Sequence, residues 1–160
     1  TATPKDIEVA LKEVKKWINF RHRLVPYLYH TACQTHQSGI PMIRPLVMEY
    51  PKDPIAKIQN LSYMLGDALL ISPGFDRDEY ELYLPEGRWQ DIESKEVYEG
   101  MTFVHIENKA FADGGTSLRV FQKEGTSIPL FAQKEVLHVP AQLWKQEDLE
   151  FMTFQKKDVD

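Results

Sequence analysis

The most restrictive feature of this sequence is a stripe of side chains at helical spacing within its first 28 residues. Thr3, Pro4 and Asp6 form a helix start, with a capping hydroxyl, a proline at the first helical position and an acid in the first turn. The positions that follow the helical period are Ile7, Ala10, Leu11, Val14, Trp17, Ile18, Arg21, Leu24, Val25 and Leu28. A stripe this wide must be buried against another part of a protein.

Pro26 interrupts the helical pattern, because proline has no backbone N–H to donate. We predict either a kink at this point or a division into two helices, with helical character continuing to about Thr35. Gly39 and Pro41 then supply a stop signal. The first part of the chain is therefore predicted to be one kinked helix or a pair of helices.

The segment between the helices and the first clear strand is predicted to be mostly irregular. Residues 40–50 read as extended or irregular, and Asp53-Pro54 predicts the start of a short helix over residues 54–60. After Gly66 the pattern changes to a continuous apolar run over residues 68–71. A run of this kind is typical of a strand that is buried on both faces.

Short segments separated by turn residues make up most of the remaining chain. They predict strands over residues 79–84, 88–92, 96–98, 101–106, 118–122, 127–131 and 149–154. The turns between them contain Gly87, Gly100 and Gly125. This spacing favours an antiparallel β-sandwich. The predicted fold class is therefore α+β, with an N-terminal helix or kinked helix pair followed by an antiparallel β-sandwich.

Composition limits the kinds of partner that this chain can bind. Its 160 residues, 42% of them hydrophobic, are enough for one domain or for a small domain with an appendage. The net charge of −5, with both signs mixed along the chain, argues against a nucleic-acid surface. No apolar run approaches the length of a membrane span, so we expect no membrane partner either. Cys33 is the only cysteine and leaves the compartment unknown, with the cytoplasm slightly favoured.

The most suggestive metal-ligand spacing is His30, Cys33 and His36, one every three residues. On a helix these side chains spread over about a third of the circumference, and a zinc site needs a fourth ligand or an open water position. The alternative is a helix surface with two solvated histidines and a half-buried thiol, which is common for a free cysteine. We predict no metal ligands and no cofactor.

Acidic side chains and a glycosylation pattern are the next candidates. Asp76, Asp78 and Glu79 cluster after a predicted strand, but neighbours on one loop rarely face each other across a cleft as the two carboxylates of a glycosidase do. A solvated turn is the alternative that we favour. Asn60-Leu61-Ser62 fits the acceptor pattern for N-glycosylation, which matters only in a secreted protein.

Tryptophans are the remaining candidates, because an indole ring can stack on a sugar. Trp17, Trp89 and Trp144 stand at helical or strand spacing, where such residues more often belong to a core or an interface. The residue patterns alone therefore assign no catalytic, cofactor-binding or metal-binding residue. At this point the function is open.

A series of short motifs nevertheless resembles glycoside hydrolase family 31, the retaining α-glycosidases that are chiefly α-glucosidases and α-xylosidases. The motifs run in order from residue 23 to residue 129 and are RLVPYLY, GIP, RPL, EYPKD, YMLGD, LLISP, YLPEGRW and VFQKEGTSIP. Each motif is weak alone, but the shared order covers about residues 17–130. Local departures, such as Gln90 after Trp89, leave the subfamily and the sugar open.

The resemblance implies a place for each part of the chain in a larger enzyme. Residues 1–62 would be the last helical part of a (β/α)8 barrel and its connection to the next domain, in which Arg44 would pair with Glu49 or Asp67. Residues 63–139 would be the proximal C-terminal β-sandwich, and residues 140–160 a linker and the start of a further strand.

The resemblance also implies that this chain is not catalytic by itself. Family members carry the nucleophilic and the acid/base aspartates before the last barrel helix, so no residue is carried over as catalytic. The predicted function is that of the C-terminal, non-catalytic portion of an α-glycosidase acting on α-linked oligosaccharides. The partner would be a carbohydrate substrate in the full-length parent, and the isolated chain is predicted to be inactive.

Two other interpretations follow from the same residues. One is a free-standing β-sandwich that binds carbohydrate through exposed aromatic side chains on one sheet face. The other is a protein-interaction module, in which the apolar stripe from Ile7 to Leu28 causes self-association.

Overall fold

The computed structural model describes residues 4–74, 79–107, 118–132 and 144–156. Two helices open the chain, α1 over Pro4–Arg23 and α2 over Val25–Ser38. The break falls at Leu24, one residue after α1 ends and two residues before Pro26. Of the two predicted outcomes at this proline, the structure therefore has the helix pair.

Glycine ends the second helix as the sequence predicts. Gly39 has φ of +75° and donates its backbone N–H to the Thr35 carbonyl at 2.9 Å. This left-handed conformation is accessible to glycine without the steric cost that a Cβ would bring.

The connecting segment is more regular than predicted in one place and less regular in another. Strand β1 covers Ile43–Pro45 and the four-residue helix α3 covers Leu46–Glu49, where an extended or irregular segment was expected. The prediction of a helix over residues 54–60 is wrong, since residues 54–58 form turns. The Asp53 carboxylate accepts the backbone N–H groups of Ile55 and Ala56 as a helix cap does, but only one turn follows, in which Ile58 and Gln59 donate to the Ile55 carbonyl. A single turn forms too few backbone hydrogen bonds to extend into a helix.

The remaining regular elements are nearly all antiparallel strands. They are β2 Tyr63–Leu65, β3 Leu69–Ser72, β4 Glu79–Leu84, β5 Arg88–Asp91, β6 Val97–Glu99, β7 Thr102–Glu107, β8 Arg119–Lys123, β9 Thr126–Phe131 and β10 Leu149–Phe154, with a 3-10 helix over Gln146–Asp148. One sheet has six strands in the order β1-β2-β3-β8-β5-β6. Strands β4 and β7 form a second sheet, and β9 and β10 form a third. The α+β fold class with an antiparallel β-sandwich is confirmed.

The six-stranded sheet has an apolar core on each of its faces. One core lies towards β4 and β7 and includes Leu70, Leu82 and Trp89. The other lies towards α1, α2 and β9 and includes Leu69, Tyr27 and Ile128. Neighbouring residues of β3 therefore point into different cores, and all four of its residues are buried. This confirms the prediction, made from the continuous apolar run, of a strand buried on both faces.

Among the described residues, one edge of the α1 apolar pattern packs against the rest of the chain. Trp17 and Phe20 pack against the core on the helix side of the sheet. The other edge, which we call the α1 stripe, consists of Ile7, Leu11, Val14 and Ile18, and its side chains are between 44% and 64% exposed. Among the described residues, no helix is long and apolar enough to cross a membrane.

Candidate functional site

The connection between the helices and the sheets is held by three polar anchors, of which the first is Arg44. Its Nη1 lies 2.6 Å from Glu49 Oε1, and its Nε donates to the Pro41 carbonyl at 2.7 Å. The Arg44 side chain is only 8% exposed, whereas Glu49 is 24% exposed, so a nearly buried cation is paired with a partly exposed carboxylate. The pairing predicted with either Glu49 or Asp67 is therefore with Glu49, and Asp67 is exposed.

The second anchor joins α2 to the turn between β2 and β3. The Tyr27 hydroxyl donates to the Leu65 carbonyl at 2.7 Å and accepts the Ala68 backbone N–H at 3.2 Å. Burial raises the pKa of Tyr27 to about 12, so the group stays neutral and can serve as both donor and acceptor. Gly66 has φ of +64°, and a Cβ there would lie 2.3 Å from the Tyr27 hydroxyl oxygen. Only glycine fits at this close approach.

The third anchor ties the connection to β4. The Tyr83 hydroxyl donates to Asp53 Oδ2 at 2.6 Å, while Oδ1 accepts the backbone N–H groups of Ile55 and Ala56. Desolvation disfavours the charged carboxylate, but these hydrogen bonds outweigh it and lower the pKa of Asp53. Burial, followed by the bond to the carboxylate, raises the pKa of Tyr83 to about 12. Asp53 thus remains a charged acceptor and Tyr83 a neutral donor, so the hydrogen bond between the connection and β4 is maintained.

The three residues with metal-ligand spacing lie on an exposed surface. His30, Cys33 and His36 are all exposed on α2. Within the described ranges, no group of three His, Cys, Asp or Glu side chains is placed to hold a metal ion. Exposure also differs from the half-buried thiol that the alternative interpretation expected.

The predicted acidic cluster is only partly described. Asp76 and Asp78 lie outside the described residues, as does the Thr3 cap, while Glu79 is exposed at the start of β4. His105 on the neighbouring strand β7 lies 3.5 Å from Glu79 and, through Nδ1, 2.8 Å from Glu81. The hydrogen bond with Glu81 raises the pKa of His105. Sequence reasoning missed this group, because only the register, in which Glu81 faces His105, brings it together.

The glycosylation pattern is split between surface and interior. Asn60 is exposed in the loop before β2. Ser62 is buried, and its hydroxyl has no hydrogen-bond partner among the described residues. The asparagine side chain is therefore accessible in the folded chain, whereas the serine hydroxyl is not.

The tryptophans take part in packing. Trp89 is fully buried, and its indole N–H donates to the Pro85 carbonyl at 2.8 Å. Trp144 makes edge contacts with Tyr29 and Phe131. Trp17 makes an edge contact with Phe20, at 5.9 Å between ring centroids. These are the core and interface positions that the sequence pattern favoured over a sugar-stacking platform.

An apolar groove of about 640 Å³ runs between α1 and the β1 edge of the six-stranded sheet. Its lining includes Val14 and Ile18 of the α1 stripe together with Met42, Ile43 and Tyr63. The α1 stripe and the groove therefore form one continuous apolar surface. Surfaces of this kind in soluble proteins usually mark a contact with another domain or protein.

Known proteins match this chain over more than half of its length. The family model described as the glycosyl hydrolase family 31 C-terminal domain matches residues 39–135. The neutral α-glucosidase AB of Homo sapiens is 35% identical over 113 residues, which are 68% of this chain and 11% of that protein. Alpha-glucosidase 2 of Bacillus thermoamyloliquefaciens is 33% identical over 129 residues, 79% of this chain and 16% of that protein.

Solved structures agree with the sequence matches. A cycloalternan-forming enzyme from Listeria monocytogenes, solved in complex with a pentasaccharide substrate, superposes with a TM-score of 0.72 and 34% identity over 88% of this chain. The chain covers 13% of that structure and 11% to 16% of the two relatives. The order of motifs, the shared fold and the family-model match lead to one conclusion: this chain belongs to glycosyl hydrolase family 31, and its residues 39–135 match the C-terminal domain of that family.

Proposed function

We propose that this chain is the C-terminal, non-catalytic portion of a retaining α-glycosidase, of the α-glucosidase or α-xylosidase type, that acts on α-linked oligosaccharides. The observation that carries the proposal is the match of residues 39–135 to the C-terminal domain of the family. The names of the relatives, which are α-glucosidases, support the substrate class.

In this proposal the chain has three parts. Residues 1–62 form the last helical part of the catalytic barrel and the connection, residues 63–139 the proximal sandwich, and residues 140–160 a linker and the start of a further strand. The α1 stripe and the apolar groove would face the rest of the barrel, which explains why large apolar side chains stand half exposed. The three anchors would then hold that helix at a constant position relative to the sandwich.

Chemistry would take place outside this chain. A retaining enzyme uses one carboxylate as nucleophile to form a glycosyl-enzyme and a second as acid and then base. In the proposal both aspartates precede the last barrel helix, so none of the residues described above acts in catalysis. The carbohydrate is a partner of the whole enzyme, and neither a nucleic acid nor a membrane is a partner.

The alternative of a free-standing carbohydrate-binding sandwich finds little support in the aromatic residues. Trp89 is buried between the layers. In the part of the chain that the structure describes, the exposed aromatic side chains Tyr29, Phe103 and Phe151 lie on α2, β7 and β10, which are different elements, and do not form a platform on one sheet face.

The test is the intact mass and activity of the protein in the cells that produce it. An antibody raised against the 160-residue chain captures the protein, and mass spectrometry measures its mass. We expect a mass far above 18.6 kDa together with hydrolysis of p-nitrophenyl α-glucoside or α-xyloside, and no hydrolysis by the isolated chain. A mass of 18.6 kDa would refute the proposal, and a large protein without either activity would refute its glycosidase part.

A further inference from the structure

The apolar groove between α1 and β1 contains one charge that the fold leaves without a partner. Among the described residues that line the groove, only Arg21 is charged, and the other side chains are aliphatic or aromatic. Arg21 is exposed, and no hydrogen bond or ion pair joins its side chain to another described residue. A single unpaired cation therefore stands on an otherwise apolar surface.

This arginine occupies the next position of the α1 stripe. The stripe residues stand at positions 7, 11, 14 and 18, at alternating steps of four and three, and the next step of three reaches Arg21. A repeat of this kind is the one with which one helix packs along another. Arg21 thus belongs to the surface that a second helix would cover, and not to the solvent-facing side of α1.

No carboxylate on the same helix is within reach of Arg21. The positions three and four residues away on either side hold only apolar side chains. The nearest acidic residue of α1 is Glu13, about 12 Å away along the helix axis, and it pairs with Lys16. Arg23, in the same last turn of α1, pairs with Glu150. An ion pair at Arg21 therefore needs a carboxylate from outside the described residues.

Covering the groove would take Arg21 out of water. A buried charge without a partner is strongly unfavourable, so a purely apolar cover does not fit this position. A carboxylate does, because it can accept two parallel hydrogen bonds from the planar guanidinium group. A single polar position within an apolar seam also fixes the register of the two helices. The surface therefore specifies a cover that is apolar along the stripe and acidic opposite Arg21.

We propose that an amphipathic helix of the parent enzyme, from outside residues 1–160, covers the α1 stripe and the apolar groove and pairs an Asp or Glu side chain with Arg21. This inference rests on the proposed function, in which α1 belongs to a (β/α)8 barrel, because such a barrel is surrounded by a ring of helices. The surface from Ile7 to Arg21 is about 21 Å long, so the covering helix has at least about 15 residues.

The first test is the thermal unfolding midpoint of the full-length parent. Arg21→Met removes the charge and keeps a long side chain and a good helix former. It leaves the proposed carboxylate buried and unpaired, so the midpoint should fall by about 3 to 8 °C. The matched control is Lys12→Met, because Lys12 is exposed on the opposite side of α1. This control should change the midpoint by less than about 2 °C.

A zero-length cross-link identifies the carboxylate. In the Arg21→Lys variant of the parent, a water-soluble carbodiimide activates a carboxylate that touches the introduced amine. An amide bond then forms between the two side chains, and the carbodiimide leaves as a urea. Mass spectrometry of the digested protein should find position 21 joined to an Asp or Glu outside residues 1–160. Replacing that residue by Asn or Gln should lower the midpoint as Arg21→Met does, and the double variant should lose much less than the sum of the two.

Three results would overturn the inference. They are a loss in Arg21→Met no larger than in Lys12→Met, the absence of a carbodiimide-dependent amide at position 21, and an amide that joins position 21 only to a carboxylate of residues 1–160 or of a second copy. Each of them leaves the proposed function standing. The proposed function fails on a different result, a mass of 18.6 kDa in the cells that produce the protein, which is measured first.

Discussion

The α1 stripe leads to a prediction about the isolated chain. Its residues Ile7, Leu11, Val14 and Ile18 repeat at alternating steps of four and three, the spacing of a helix-pairing seam. With no barrel to cover it, the seam should pair with the same seam of a second copy. Glu8 and Lys15 flank the same side of the stripe, so in an antiparallel pair Glu8 of each copy lies beside Lys15 of the other copy.

The expected affinity is low. Full burial of an aliphatic side chain contributes about 1.5 to 3 kcal/mol, and about half of each stripe residue is still available for burial, so two copies of four residues gain about 8 kcal/mol. With the cost of association taken as about 4 kcal/mol, the lower end of its range, about 4 kcal/mol of net stabilisation remains. The dimer of the isolated chain should therefore dissociate with a constant of about 1 mM.

The perturbation is Leu11→Lys, which changes the most exposed residue of the stripe and keeps a good helix former. With 64% of the leucine exposed, its burial is worth about 1 to 2 kcal/mol per copy, or about 2 to 4 kcal/mol in the dimer. Losing it raises the dissociation constant by roughly 30- to 1,000-fold, so the variant should be monomeric at every accessible concentration.

Sedimentation equilibrium between about 0.05 and 2 mM measures the change, a range chosen to bracket the expected constant. The matched control is Ile58→Lys, which replaces an apolar side chain that is 77% exposed in the connecting turn and should leave the dimer intact. A parent chain that stays monomeric at about 2 mM, or a Leu11→Lys variant that still dimerises like the control, would refute the reasoning.

Three further predictions concern the anchors and the β4–β7 pair. Gly66→Ala should lower the free energy of unfolding by about 2 to 4 kcal/mol in urea titrations, because of the positive φ and the clash with Tyr27. The control Gly39→Ala, which also has a positive φ but open space around its Cβ position, should cost about 1 kcal/mol, and equal losses in the two variants would contradict the close approach at Gly66. Tyr83→Phe should lower the free energy of unfolding by about 1.5 to 3 kcal/mol in the same assay, because the charged Asp53 carboxylate loses a hydrogen bond. A change of less than about 0.5 kcal/mol would show that this bond does not stabilise the fold. Because its pKa is raised in the folded chain, His105 stabilises the fold fully below the ordinary histidine pKa, and this stabilisation is lost as the pH rises through the pKa of the folded state. The urea midpoint should therefore fall more in the parent chain than in His105→Gln when the pH rises from about 5.5 to 8.5, and identical pH profiles would argue against this pair.

Local patterns determined a large part of this fold. Pro26 broke the helix within two residues of its position, and Gly39 ended the next one, because both residues act through their own backbone. The apolar run before Ser72 identified a strand buried on both faces. The prediction at residues 54–60 failed although the Asp53 cap is present, because only one turn follows it, and a single turn forms too few backbone hydrogen bonds to extend into a helix.

Features that depend on distant residues were beyond the sequence patterns. Strand β1 has three residues, and it exists because Ile43, Arg44 and Pro45 pair with residues 63–65 of β2. The cluster of Glu79, Glu81 and His105 exists only because of the β4–β7 register, and a shift of one residue would move His105 to the other face. No local signal specifies such a register.

The sequence by itself determined the helical start with its break near Pro26, most of the strands, the turns between them and the family, since these depend on residue type and spacing along the chain. Tertiary structure alone decided which edge of α1 remains exposed, how closely Tyr27 approaches Gly66, and that ion pairs join Lys16 to Glu93 and Arg23 to Glu150. The physical reason is that these features join residues that are far apart along the sequence, such as Arg23 and Phe131 at a separation of 108 positions, and only the packed chain brings them into contact.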